Sequence, residues 1–247
     1  MTDLFDLSGK VALVTGGSRG LGYEMVKAFA EHGADVVVAS RKLDACEQVA
    51  AEVRALGRKA LAVECHVGKW DEVDALVERV YAEFGRIDVL VNNAGMSPLA
   101  PSSHETSEEL FDKVVSVNWK GPFRLASTVA ARMRDAGGGV IINVSSSGAL
   151  RPTPSATPYC GAKAALNVMT ECFALEYGPT VRVNTISAGP FLTDISKAWP
   201  AAARERWSNP LGRPGRPEEI VTTALYLASP MSSFTTGAMV RCDGGLP

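Results

Sequence analysis

Val11-Ala12-Leu13-Val14-Thr15-Gly16-Gly17-Ser18-Arg19-Gly20-Leu21-Gly22 is the stretch that decides the fold. A short apolar run ends in a glycine-rich turn and passes into Tyr23-Glu24-Met25-Val26-Lys27-Ala28-Phe29-Ala30. Strand, turn and helix in that order open a parallel α/β unit. Glycines let the backbone turn tightly and approach a pyrophosphate, and the free amides and dipole of the helix N-terminus hold the anion. The spacing is Gly-x-x-x-Gly-x-Gly, not the Gly-x-Gly-x-x-Gly of the widespread dinucleotide fingerprint. Its place between a strand and a helix, with a second strand Val36-Val37-Val38-Ala39 to follow, favours a phosphate site over a structural turn.

After that second strand the chain reads Ser40-Arg41-Lys42, where an acid would bind an adenosine 2'-hydroxyl. Arginine pairs instead with a 2'-phosphate, and Arg19 in the glycine turn offers a second cation. The bland alternative makes Arg41 and Lys42 solvated residues opening a helix. A helix over 43–56 and a strand over 60–65 continue the alternation, and Val73, Leu76, Val77, Val80, Tyr81 and Phe84 mark the core face of a third helix. Ile87-Asp88-Val89-Leu90-Val91 makes a fourth strand, with Asn92-Asn93-Ala94-Gly95 at its carboxyl end, where open parallel sheets place ligands. A polar loop then leads to helices interrupted near Gly121-Pro122, with Asn118 on the first; read alone, its amide is a structural link.

Val140-Ile141-Ile142-Asn143-Val144 reads as a buried parallel strand delivering Ser146 to a site. A helix over 157–177 has Pro158 in its first turn and carries Tyr159 and Lys163 four residues apart on one face. An ammonium beside a phenol favours the phenolate, which makes a usable base. Val181 to Ile186 is a sixth strand, followed by Ser187-Ala188-Gly189-Pro190 and a long segment; a lid is expected over about 190–214. A helix over 217–228 and the strand Met239-Val240-Arg241 complete the sheet before Asp243-Gly244-Gly245.

The 247 residues are 46% hydrophobic and 21% charged, enough for a sizeable core in one α/β domain over 1–247, with no repeat or linker. A formal net charge of −2 with scattered basic residues gives no footprint for nucleic acid or an acidic membrane. The start, Met1 to Asp6, is acidic and lacks an apolar segment, so the expected location is cytoplasmic. Cys46, Cys65, Cys160, Cys172 and Cys242 have neither Cys-x-x-Cys nor zinc-ligand spacing, so they read as reduced, and no metal is expected.

Together these motifs resemble the short-chain dehydrogenase/reductase family over essentially the whole chain, including its 3-oxoacyl-carrier-protein reductase-like and glucose/gluconate dehydrogenase-like members. The Thr15 to Gly22 turn, Asn92-Asn93-Ala94-Gly95, Asn118, Ser146, Tyr159-x-x-x-Lys163 and Asp243-Gly244-Gly245 match in order and spacing. The resemblance implies a single Rossmann-like, doubly wound sheet of seven parallel strands and a homotetramer. It implies that Tyr159 is the general acid or base, that Lys163 lowers its pKa and binds the nicotinamide ribose, that Ser146 holds the substrate oxygen, and that Asn118 fixes a water. Serine-to-tyrosine separation in the family selects Ser146, with Ser145 and Ser147 as helpers. Residue reading and resemblance together assign NADP(H) to Gly16, Ser18, Arg19, Gly20, Leu21, Gly22, Ser40, Arg41, His66, Val67, Asn93, Ala94, Gly95, Tyr159, Lys163, Gly189 and Thr193.

Two positions depart from the family pattern. His66 stands where Asp is common beside the adenine, which alters that base contact, and Ala188 replaces a proline, which leaves the turn beside the nicotinamide less rigid. The implied activity is reversible interconversion of a small carbonyl compound and its alcohol; the alternatives are a non-catalytic dinucleotide sensor or scaffold, and an epimerase or dehydratase of the same fold. Within the favoured class a 3-oxoacyl thioester and a sugar or polyol remain equal. Met96, Leu99, Phe191, Leu192, Trp199 and Trp207 line an apolar pocket or equally pack the lid on the body.

Overall fold

The structure, a computed structural model, describes residues 4–246; Met1 to Asp3 and Pro247 lie outside the described residues. Strands β1 (Val11–Thr15), β2 (Asp35–Ser40), β3 (Ala60–Glu64), β4 (Val89–Asn92), β5 (Gly139–Ser146), β6 (Val181–Ala188) and β7 (Met239–Cys242) form one sheet. Its order is β3-β2-β1-β4-β5-β6-β7 and every pairing is parallel. The order reverses between β1 and β4, so the crevice for a ligand opens at the carboxyl ends of those strands.

Helices α1 (Gly20–Glu31), α2 (Leu43–Ala55), α3 (Trp70–Phe84), α4 (Glu108–Val115), α5 (Gly121–Asp135), α6 (Thr157–Tyr177), α7 (Ala201–Glu205) and α8 (Val221–Ala228) surround it. Alternation along each strand divides the core in two. Ala12, Val14, Val36 and Val38 face Met25, Val26 and Phe29 of α1, Val49 and Val53 of α2, and Ala224 and Leu225 of α8. Val11, Leu13, Val37 and Ile141 face the other way, onto Leu76 and Val80 of α3, Leu125 and Val129 of α5, and Leu166 and Phe173 of α6. Fully burying one such side chain contributes roughly 1.5–3 kcal/mol.

A polar ladder crosses this apolar interior. Asn92 and Asn143 are register partners on β4 and β5, and Asn143 and Thr185 on β5 and β6. Asn92 Nδ2 donates to Asn143 Oδ1 (2.9 Å), Asn143 Nδ2 to Thr170 Oγ1 of α6 (2.9 Å), and Thr170 meets Thr185 at 2.8 Å.

Near Gly121-Pro122 the structure differs from the expected interruption. Backbone at Ser116 and at Lys120 to Gly121 stays in the right-handed helical region, and α4 runs into α5 through a π-turn over Ser116–Lys120. The widened turn accommodates Pro122, which has no amide to donate. Gly121 is needed for packing: a Cβ there would lie 1.9 Å from the Val67 carbonyl oxygen. The helix expected over 217–228 begins as a 3-10 turn, Pro217–Ile220, before α8. Among the described residues no helix is long and apolar enough to cross a membrane.

Candidate active site

Ser146 ends β5, and Tyr159 lies in the first turn of α6, where Pro158 takes a position needing no amide bond. The Ser146 and Tyr159 side chains are hydrogen-bonded to each other. Ser146 Oγ also accepts from Gly148 N–H (3.0 Å), which fixes the rotamer of the hydroxyl. Ser145 points into the interior and donates to the Lys163 backbone carbonyl (3.2 Å). Adjacent strand residues face opposite ways, so only Ser146 joins the phenol.

Lys163 is buried one helical turn from Tyr159, and its Nζ donates to the Val144 carbonyl (2.7 Å). The ammonium lies 5.9 Å from the Tyr159 ring centroid. Burial pulls Lys163 down to about 8. Burial also pushes the half-buried Tyr159 phenol up, with the Ser146 hydrogen bond acting the opposite way. The Lys163 ammonium is engaged with the Val144 carbonyl, and desolvation is the largest influence on the phenol.

Asn118 sits in the π-turn and is fully buried. Its Nδ2 donates to the Met96 and Val114 carbonyls (2.9 Å each), and its Oδ1 accepts from Met96 N–H (3.3 Å). The amide bonds to backbone on both sides, so it ties the loop after β4 to the helix. Gly95 lies between the two polar groups, since a Cβ there would be 3.0 Å from Asn118 Oδ1 and 3.6 Å from Lys163 Nζ. Asn118, Ser146, Tyr159, Lys163 and Gly95 therefore gather around one end of β5.

The glycine turn borders the same crevice. Gly16 has φ of 64° and donates to the Ala39 carbonyl (2.8 Å). A Cβ on Gly22 would lie 2.2 Å from the Gly16 carbonyl oxygen, so the turn closes onto α1 only without one. Asn93 Nδ2 donates to the Thr15 carbonyl (2.9 Å), and Thr15 Oγ1 accepts from the amides of Asn93 and Ala94. The first turn of α1 has no side-chain cap and no acid, leaving its amides available to an anion. Leu21 is half-buried against the core.

At the end of β2, Ser18 Oγ and Ser40 Oγ meet at 2.9 Å, and Cys46 Sγ lies 3.1 Å from Ser40 Oγ. Arg41 is exposed. Arg19 extends the other way and pairs with Asp194 (2.8 Å), which also pairs with Lys197. Sequence reading missed Asp194 and Cys46; a contact across 175 residues leaves no local spacing signal. Thr193 packs on Gly20, with its Cγ2 3.4 Å from where a Cβ would stand. Gly189 N–H donates to the Cys242 carbonyl (2.9 Å), and a Cβ on Gly189 would meet Asp243 Cα at 2.5 Å. Ala188 pairs with Ser146 on one side and Cys242 on the other, so sheet register supplies the rigidity expected to be lost with proline. His66 and Val67 follow β3 on the same edge.

A family model described as enoyl-(acyl carrier protein) reductase matches residues 16–247. The 3-oxoacyl-[acyl-carrier-protein] reductase of Chlamydia muridarum is 38% identical over 97% of this chain and 98% of its own length. D-threitol dehydrogenase of Mycolicibacterium smegmatis is 36% identical over 98% and 94%. The crystal structure of 3-ketoacyl-(acyl-carrier-protein) reductase from Brucella melitensis complexed with NADH superposes with a TM-score of 0.91 at 34% identity, covering 97% of this chain and 99% of that one. The chain belongs to the short-chain dehydrogenase/reductase family of oxidoreductases.

Proposed function

We propose that this protein is an NADP(H)-dependent oxidoreductase interconverting a ketone or aldehyde and its alcohol. The observation that carries this reading is the convergence of Ser146, Tyr159 and Lys163 at the carboxyl end of β5, beside a glycine turn with free helix amides. A nicotinamide dinucleotide bound along that edge supplies or accepts the hydride. In the reducing direction Tyr159 donates its proton to the carbonyl oxygen, and the Ser146 hydroxyl bonds the same oxygen. A phenol raised by burial stays protonated at neutral pH, which suits an acid; oxidation requires it to lose that proton first and is favoured in alkali. Lys163 holds the ribose, and below its value of about 8 it carries a positive charge beside the phenol. Asn118 ties the loop after β4, which carries Gly95 past Lys163, to the π-turn.

NADP(H) over NAD(H) is supported by Ser40 and Arg41 standing where a carboxylate would repel a 2'-phosphate, with Ser18 adjoining. Residues 190–214 are proposed as the lid. Both ends are anchored, by the bridge between Phe191 and Gly215 and by Asn209, whose Nδ2 donates to the carbonyls of Arg213 and Asp243. Movement then falls to about 194–208. Two separate exposed apolar faces suit the two kinds of two-fold contact of a homotetramer: Phe123 of α5 with Val168 and Leu175 of α6, and Met231 with Phe234 beside β7. Five free cysteines fit a cytoplasmic setting.

A panel of 3-oxoacyl thioesters and sugar- or polyol-derived ketones, with NADPH oxidation followed by absorbance, decides the substrate class. Consumption of no carbonyl compound, with NADPH bound, would favour the sensor; tighter NADH than NADPH binding would overturn the cofactor assignment.

A further inference from the structure

Cys65 N–H donates to the Ser40 carbonyl (2.9 Å), so Cys65-His66-Val67 runs beside the end of β2, on the edge that carries Ser18, Ser40 and Arg41. The His66 imidazole is folded back on its own loop, where Gly68 N–H donates to Nδ1 (3.2 Å). A backbone amide only donates. Nδ1 is therefore the unprotonated acceptor, and the ring proton of the neutral imidazole sits on Nε2. The ring has room because residue 68 is glycine: a Cβ there would stand 3.0 Å from His66 Cε1 and 2.9 Å from Ser116 Oγ.

The backbone around the ring is held as well. Glu72 accepts from His66 N–H (2.6 Å) and pairs with Lys69 (2.7 Å). The Val67 carbonyl faces the start of α5, where only glycine fits. Among the described residues no protein acceptor meets either Val67 N–H or His66 Nε2–H.

Resting on the dinucleotide reading above, we propose that this edge offers the purine two donors, Val67 N–H and His66 Nε2–H, so that the protein binds 6-oxopurine (hypoxanthine) dinucleotides about as well as adenine dinucleotides. The Watson–Crick edge of adenine joins an acceptor, N1, to a donor, the 6-amino group. A complementary protein edge needs one donor and one acceptor, which a carboxylate at position 66 beside Val67 N–H would supply. With Nε2–H in its place, adenine keeps a bond from Val67 to N1 while its amino group faces a second donor. Hypoxanthine accepts from Nε2–H at its 6-oxygen, while its N1–H faces the Val67 amide. Each base thus makes one matched and one mismatched contact, and neither is strongly preferred.

The test is calorimetric: dissociation constants of NADPH and of reduced nicotinamide hypoxanthine dinucleotide phosphate for the parent, His66→Asp and His66→Asn. In the parent the two are expected within about threefold of each other, and in His66→Asp adenine is expected to gain a preference of about tenfold or more, since a bond to the amino group is made and the 6-oxygen is repelled. His66→Asn, which turns its amide oxygen to the adenine amino group or its NH2 to the hypoxanthine 6-oxygen, should shift the ratio the same way by less. The parent comparison needs no variant to fold. A tenfold or greater adenine preference in the parent, or the same ratio in parent and His66→Asp, would overturn the proposal while leaving the dinucleotide site standing. Failure of both dinucleotides to bind overturns the site and the proposal together.

Discussion

The floor of the site and its roof are built from different kinds of bond. Below, Lys163, Asn118 and Ser145 are buried and bonded to backbone carbonyls or amides of core elements, so their positions are set by the packing of β5, α6 and the π-turn. Above, Asp194 is held by two exposed cations, Arg204 reaches the Ser196 and Lys197 carbonyls, and Trp199 leans on Trp207 with centroids 4.7 Å apart. Exposed pairs are screened and contribute little, whereas a buried polar group that loses its partner is strongly penalised. Proton transfer demands fixed distances and admitting a substrate demands movement, so the function proposed above places the first in the floor and the second in the roof.

The largest expected effect strikes the floor. Tyr159→Phe should lower turnover by about 10²–10⁴-fold with NADPH affinity and melting temperature kept, since only a transferable proton goes. Near-normal turnover would remove Tyr159 from the chemistry.

Lys163 tests how much strain the floor carries. Its folded value of about 8 lies below the ordinary 10.5, so between these the unfolded chain holds a proton that the folded chain has released. Stability must therefore rise with pH across that window: the penalty of burying the ammonium is fully present below about pH 8 and absent above about 10.5. Relative to Lys163→Met, the parent should gain about 3 kcal/mol in urea unfolding between those limits. A flat difference would mean that the ammonium is not desolvated.

Next comes the rim. Arg41→Ala should weaken NADPH by about tenfold to a hundredfold and leave NADH nearly unchanged, as expected for one charge-assisted contact. Arg19→Ala should do less, because Asp194 already engages that guanidinium. Equal losses would show that Arg19 leaves Asp194 when the cofactor binds.

The smallest effect is expected in the roof. Asp194→Asn should speed amide exchange over 194–208 by about two- to fivefold and alter KM more than kcat. Exchange in the parent as slow there as in β1 and β4 would erase the contrast between floor and roof.

The floor was legible in the sequence because its signals are local. Tyr159 and Lys163 share a helix face at a spacing of four, Ser146 ends an apolar run, and Gly16 to Gly22 form one turn between a strand and a helix. Other features depend on contacts between distant segments. Gly121-Pro122 carries the composition of a break, yet the helix continues because Gly121 packs against Val67 and a π-turn accommodates the proline. Arg19 reads as a phosphate ligand, and no local spacing announces the Asp194 that pairs with it. The asparagine at 118 reads as either structural or catalytic, and only the positions of Met96 and Val114 reveal where its amide bonds.

Strands of valine and isoleucine can slide by two residues without exposing anything, because every second side chain returns to the same face. The ladder from Asn92 through Asn143 and Thr170 to Thr185 removes that freedom. Displace β5 by one pleat toward the amino ends of its neighbours and Asn143 meets Leu90 and Val183 instead of Asn92 and Thr185, stranding amide and hydroxyl groups in oil. The ladder works as an alignment key: it keeps Ser146 from settling some 7 Å along the sheet from where Tyr159 waits.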